Sequence, residues 1–280
     1  MSTDGAAFLL FARQERILAV RSRWTQTFAG VFATLAIAVA GSGYVLTGGY
    51  GVQDFGRSAV SLVQLVLLVV PLTSLLLGVV ALAPDRGSVE IVFSLPVGRA
   101  TILLGKLFGL WQALVAAQAL GFGAAGLLVF WQTGEEGLAG FLLVFLGSMA
   151  LTAVFLGLAA LLAAGYPGRK RTRTLALALL TWFALVVVFD VALLGIASYV
   201  RSGVASRALI LGVLLNPVDA VRTGTLLGIE GAAAFGTASL AFLRFTHGGL
   251  AAALLLGASV VLWIVGPLLA AVARLRRADL

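Results

Sequence analysis

Six stretches of this chain each run for about 20 residues or more with almost no charged side chain, the length a helix needs to cross a bilayer. They are Thr25 to Leu46, Ala59 to Ala83, Thr101 to Trp131, Leu138 to Gly165, Thr174 to Val200 and Leu250 to Ala273. Lipid offers the backbone no hydrogen bonds, so such stretches are expected to be helices. The third and fourth exceed the need and are expected to tilt or extend past the bilayer. Composition agrees: 61% of residues are hydrophobic and 11% charged, against about a quarter charged in globular domains. With a mean hydropathy of +1.11 the chain carries more apolar surface than a soluble fold of this size could hide. Its 34 glycines suit membrane helices that approach closely. The first stretch begins only after Arg13, Arg16, Arg21 and Arg23, and no small-residue cleavage site follows it; it reads as a retained span. The chain reads as all-α, an integral membrane protein in one transmembrane unit over residues 1–280.

Charge sets the expected orientation. With both ends inside, inner segments hold Arg13, Arg16, Arg21 and Arg23, then Arg86, Arg99 and Lys106, then Arg169, Lys170, Arg171 and Arg173, then Arg274, Arg276 and Arg277. Outer segments hold Arg57, Arg201, Arg207, Arg222 and Arg244, four of them in one long segment where the positive-inside bias counts for little. The net charge of +8 therefore belongs to a membrane surface and not to nucleic acid. Both termini are expected in the cytoplasm, in a bacterial inner membrane.

Three segments are not expected to span. Residues 1–24 read as a helix on the inner surface, with Ala7, Phe11 and Leu18 on one face and Arg13, Gln14, Glu15 and Arg16 among them. A plain basic tail is the blander alternative. Residues 84–100, PDRGSVEIVFSLPVGRA, are too polar to cross, yet Val89, Val92, Phe93 and Pro96 fall at helical steps. Residues 201–249 contain ALILGVLLN, half a span long, then the breaker Asn216-Pro217 and a weak helix from Val218 to about Leu227. Such a pair reads as re-entrant, surface-lying or a docking surface for another protein.

Much chemistry is excluded. There is no cysteine, one histidine (His247) and two methionines (Met1 and Met149), so no soft or imidazole ligand set for a metal exists. No paired carboxylates, no serine with a base and no G-x-x-x-x-G-K-[ST] loop occur; Gly98 to Lys106 has the wrong spacing. No cofactor is expected in this chain, and no catalytic residue. Asp190 stands out in LVVVFDVALLG, deep in the fifth stretch. A charge there costs several kcal/mol, so it is expected either to serve function or to be paired between helices.

The stretch after the second span resembles that of ABC-2 type permeases. It has the pair Asp85-Arg86, then Gly87-Ser88, then Glu90, then Leu95-Pro96-Val97-Gly98-Arg99, then Leu104-Gly105-Lys106. Two further strings, Trp182-Phe183 with Val188 to Gly195 and Leu215-Asn216-Pro217-Val218-Asp219-Ala220-Val221-Arg222, look like the NosY family, permeases of nitrous oxide reductase maturation. The resemblance implies six transmembrane helices with an N-terminal interface helix, a cytoplasmic coupling helix between helices 2 and 3, and short outer helices before helix 6. It implies a homodimeric permease served by two copies of a separate ATPase, which binds the ATP. Arg86, Glu90, Phe93, Leu95, Pro96 and Arg99 would seat the coupling helix in that ATPase. A periplasmic accessory protein would dock outside, with Asn216, Pro217, Asp219 and Arg222 as the contact. Lacking thiols, and nearly lacking imidazoles and thioethers, the chain is expected to move a species other than copper, such as a sulfur compound, or to transmit motion. An ABC-2 exporter of a drug, lipid or glycan, a non-transporting scaffold and a secondary transporter built around Asp190 are the alternatives.

Overall fold

The computed structural model describes residues 3–46, 53–82, 97–133, 138–164, 171–200, 202–230, 245–246 and 248–277. Among these, all regular structure is helical. The helices are α1 (Thr3–Arg21), α2 (Arg23–Leu46), α3 (Gln53–Leu82), α4 (Arg99–Thr133), α5 (Leu138–Ala163), α6 (Arg171–Tyr199), α7 (Ser202–Leu215), α8 (Pro217–Glu230) and α9 (Gly249–Arg277). Six of them, α2 to α6 and α9, are long and apolar enough to cross a membrane. They coincide with the six apolar stretches. Residues 83–96 lie outside the described residues, and with them Arg86, Glu90, Phe93, Leu95 and Pro96 of the expected coupling helix; Arg99 opens α4.

The bundle is built around α5. Its sequence is apolar on every side, and a helix of that kind belongs in an interior. Leu151, Val154, Phe155, Ala159 and Ala160 on α5 are fully buried, against α3, α4, α8 and α9. Between α4 and α5 the contact is partly polar. Gln118 Nε2 donates to Thr152 Oγ1 at 2.8 Å, and that hydroxyl donates to Ser148 O at 2.8 Å.

One end of the bundle gathers α1, the start of α4 and the ends of α5 and α9. There Arg99 Nη1 donates to Leu275 O at 3.4 Å and Arg274 Nη1 to Leu161 O at 3.3 Å, cations placed over the last carbonyls of α9 and α5. Helix α1 lies along α4. Gly109 makes this possible: a Cβ there would collide with Ala12 O. The side of α1 turned to α4 carries Ala12, Glu15 and Ala19, all buried, whereas Leu18 is exposed and Ala7 and Phe11 only half-buried. Phe8 and Phe11 also meet α4, Phe8 against the Phe108 ring at 5.7 Å and Phe11 beside Gly105.

Helix α6 differs from the rest. It is the least covered span, with 6% of its apolar window buried. Its α-helical turns are interrupted by a π turn over Ala184–Val188. It touches α3 below that turn and α7 above it.

Candidate functional site

After α6 the chain folds into two short helices, α7 and α8, each of 14 residues. At 1.5 Å per residue each is about 21 Å long, too short to cross a bilayer alone. They meet at Asn216 with a bend of 101°. The local sequence explains the start of α8. Asn216 is its N-cap, with Oδ1 accepting the Val218 N–H at 3.0 Å. Pro217 fills the first helical position, where no N–H is needed. Asp219 follows in the first turn, where the helix dipole favours an acid.

Two spans supply partners for the polar groups at this bend. Ser259 Oγ of α9 donates to Leu214 O at 2.6 Å, and Trp263 Nε1 of α9 to Leu215 O at 3.1 Å. These are the carbonyls that the end of α7 leaves unpaired. Asn216 Nδ2 donates to Leu185 O of α6 at 2.8 Å. The π turn prepares that acceptor: the Phe189 N–H reaches five residues back to Ala184 O, where an α-helix would direct it to Leu185. Irregular backbone survives at membrane depth only where its polar groups are met inside the protein.

Depth follows from these partners. Leu185 is the middle residue of the 29-residue α6, and Trp263 the middle residue of the 29-residue α9. The bend therefore lies level with the centres of both spans. From there α8 climbs back along α5: Gly147 faces Val221 and Thr225, and Gly228 faces Leu143, nearer the start of α5. The pair turns back from that depth, with the bend of a broken span or a re-entrant loop.

The charged residues meet just above the bend. Arg222 Nη1 on α8 donates to Asp190 Oδ2 on α6 at 3.1 Å. Its Nη2 lies 2.7 Å from Asp219 Oδ1, an ion pair whose N–H is not aligned for a hydrogen bond. One guanidinium thus bridges a carboxylate of the span and one of the hairpin. Asp219 is buried, and Arg222 and Asp190 are about one-third exposed. Lower down, Trp182 Nε1 donates to Leu68 O at 3.2 Å and fixes α6 to α3.

The two strings singled out in the sequence, around Asp190 and around Asn216, thus form one site. Asp190 is paired, as one of its two expectations required. Asn216, Pro217 and Asp219 are buried, with Asn216 bonded to α6 and Asp219 paired with Arg222 on its own helix. Arg222 likewise turns to Asp190. Leu185, Ser259 and Trp263 were missed. The signal for Trp263 was a tryptophan at mid-span, away from the interfaces where that residue gathers, with an indole N–H that needs an acceptor.

A membrane bundle with a sharply bent helix pair before its last span can be set beside known proteins. The pattern of the ABC-2 family transporter protein matches residues 12–280. The chain belongs to the ABC-2 transporter family. Its similarity to relatives is extensive. The probable ABC transporter permease protein NosY of Pseudomonas aeruginosa is 34% identical over 236 residues, 82% of this chain and 85% of that protein. The protein of the same name from Stutzerimonas stutzeri is 31% identical over 244 residues, again 82% and 85%. ABC-2 permeases work with an ATPase subunit and often dimerise, and this chain is a multi-pass ABC-2 permease similar to NosY. Among the described residues, no group of three or more His, Cys, Asp or Glu could hold a metal ion.

Proposed function

We propose that the chain is the permease subunit of an ABC transporter of the NosY type. It couples ATP hydrolysis by a separate ATPase to transport, or to mechanical transmission, across the bacterial inner membrane, in the maturation of the copper sites of nitrous oxide reductase. Similarity to two NosY proteins over 82% of the chain carries this reading. The active unit is a homodimer with two ATPase copies and an accessory protein on the outer side. Both termini lie in the cytoplasm, following the arginines at the α1 end of the bundle. ATP binds to the partner alone.

Residues 84–100 are the segment that meets the ATPase, with Arg86, Glu90, Phe93, Leu95, Pro96 and Arg99 as its contacts. Arg99, which opens α4, lies at the end of the bundle that carries α1 and the end of α9. Glu90→Arg is the sharper test of the two charges. Arg99→Glu would also cut the internal bond from Arg99 to Leu275 O.

The experiment is affinity purification of the tagged chain from mild detergent, expressed with the neighbouring ATPase and outer-side genes. The expected result is co-purification of the ATPase with the wild type and its loss with Glu90→Arg, the permease itself remaining folded. A permease that never retains an ATPase overturns the proposal and leaves the scaffold reading. Retention of the ATPase together with full reductase maturation in a strain lacking the permease points to a transporter of some other cargo.

A further inference from the structure

We infer that Asn216, Arg222 and Asp190 lock the outer half of α6 and the α7–α8 hairpin into one moving body, so that a displacement of α6 is delivered to the hairpin. The inference rests on the reading of the chain as an ATP-driven permease and assigns that reading its positioning residues.

Two independent bonds cross between the elements. The Asn216 amide takes the Leu185 carbonyl that the π turn turns away from the Phe189 N–H. The Arg222 guanidinium takes Asp190 at 3.1 Å, five residues and about 7.5 Å further along α6. Two pins separated along a helix axis resist both sliding and rotation, whereas one pin permits rotation about itself. A third contact lies further along: Gly212 of α7 admits the side chain of Leu193, where a Cβ would collide with it. The inner half of α6 is held separately, to α3, by Trp182 on Leu68 O. Its apolar window is 6% buried, so packing alone does not fix it to the bundle. In lipid, apolar side chains gain nothing by leaving the acyl chains for one another, so polar bonds and close packing decide which helices travel together. A charged pair within a span is costly to separate, which favours its staying closed while the body moves.

The absence of cysteine makes a clean test possible. An ideal Cβ on Gly212 comes within 3.1 Å of Leu193 Cγ. The pair Leu193→Cys with Gly212→Cys therefore brings two Cβ atoms within about the 4.5 Å that a disulfide spans, and it removes the leucine that would clash. Three permeases are produced with their ATPase in a strain lacking the native permease: this cysteine pair, the variant Arg222→Gln with Asn216→Ala, and the two combined. ATPase co-purification, the size-exclusion profile and the activity of nitrous oxide reductase are read before and after oxidation and again after reduction.

The cysteine pair is expected to cross-link equally with and without nucleotide and to stay active. Arg222→Gln with Asn216→Ala is expected to keep its ATPase while reductase activity falls about tenfold, the factor that loss of one ordinary ion pair puts on a two-state equilibrium. Oxidation of the combined variant is expected to restore activity, and reduction to abolish it again. Loss of activity when the cysteine pair is oxidised, cross-linking that depends on nucleotide, or no rescue in a variant that still binds its ATPase would each overturn the inference. Should Arg222→Gln with Asn216→Ala not fold, Asp190→Asn, which keeps an acceptor for Arg222, takes its place in the same scheme. A wild type that binds no ATPase refutes the proposed function, and it is told apart from failure of the lock by that readout.

Discussion

Helices α5 and α6 are similar in length, 26 and 29 residues, and similar in composition, yet the bundle treats them in opposite ways. The apolar window of α5 is 56% buried and that of α6 is 6% buried. Helix α5 is held by shape: Leu151, Val154 and Phe155 fill the centre, and Ala159 and Ala160 let α3 close on it. Helix α6 is held at points, by Trp182 on Leu68 O, Asn216 on Leu185 O and Arg222 on Asp190. Packing spreads a contact over a whole helix and fixes it rigidly. Point bonds leave a helix free to shift as a unit with whatever it is bonded to. A permease needs both kinds, and here the division runs between two neighbouring spans.

The comparison is broken most forcefully by emptying the centre. Phe155→Ala removes a fully buried ring and is expected to cost about 3 kcal/mol. That is the low end for such a change, because in lipid the cavity remains while the transfer part falls away. The same change at Phe183 on α6, where the ring is 49% exposed, is expected to cost close to nothing. Unfolding in mixed micelles, followed by helical ellipticity, compares the two. Equal costs would mean that α6 is packed after all.

Second in size is Arg222→Ala. It leaves Asp219 buried and Asp190 half-buried with no cation between them. Breaking a fully buried pair costs about 3–5 kcal/mol; with two of the three groups about one-third exposed, about 2 kcal/mol is expected here. Removing Asp190 as well should return part of that cost, because the stranded charge goes with it. A double variant as unstable as the sum of its singles would deny the pairing.

Smaller again is Trp182→Phe. It keeps the ring and loses one N–H bond to Leu68 O. About 1 kcal/mol is expected. Limited proteolysis between α6 and its neighbours should respond more than global unfolding does, because this bond is the point at which α6 is hydrogen-bonded to α3.

Much of this architecture is legible in the amino-acid sequence. Six spans, a helix ahead of them and a broken pair after the fifth follow from hydropathy and from Asn216-Pro217. Asp190 could be marked because lipid makes any charge conspicuous. Its partner could not, since Arg222 stands 32 residues away behind a bend whose depth no local pattern encodes. The π turn was hidden too: Ala-Leu-Val-Val-Val carries no glycine or proline to announce it. In α1 amphipathicity speaks only to the face that meets an apolar solvent, and the seam with α4 is a separate matter of close approach. A Cβ on Gly109 would collide with Ala12 O, and Ala12, Glu15 and Ala19 are buried along that seam.

That seam holds the smallest expected effect. Glu15 is buried against α4, with Lys106 Nζ 3.9 Å away. Burial pushes its carboxyl above the ordinary carboxylate range, and the Lys106 charge pulls it back only in part. A group whose pKa is raised by folding stabilises the fold while it is protonated. That contribution is complete below its unfolded pKa and is lost as pH rises through the folded one. The wild type should therefore lose a little stability as pH rises through and above the ordinary carboxylate range. Glu15→Gln, neutral at every pH, should hold level over the same window and match the wild type at its acid end. If Lys106 outweighed burial, the slope would reverse and the wild type would gain stability with rising pH. The sign of that slope decides whether α1 is seated on α4 by its small residues, with Glu15 merely tolerated, or is drawn there by charge as α8 is drawn to α6.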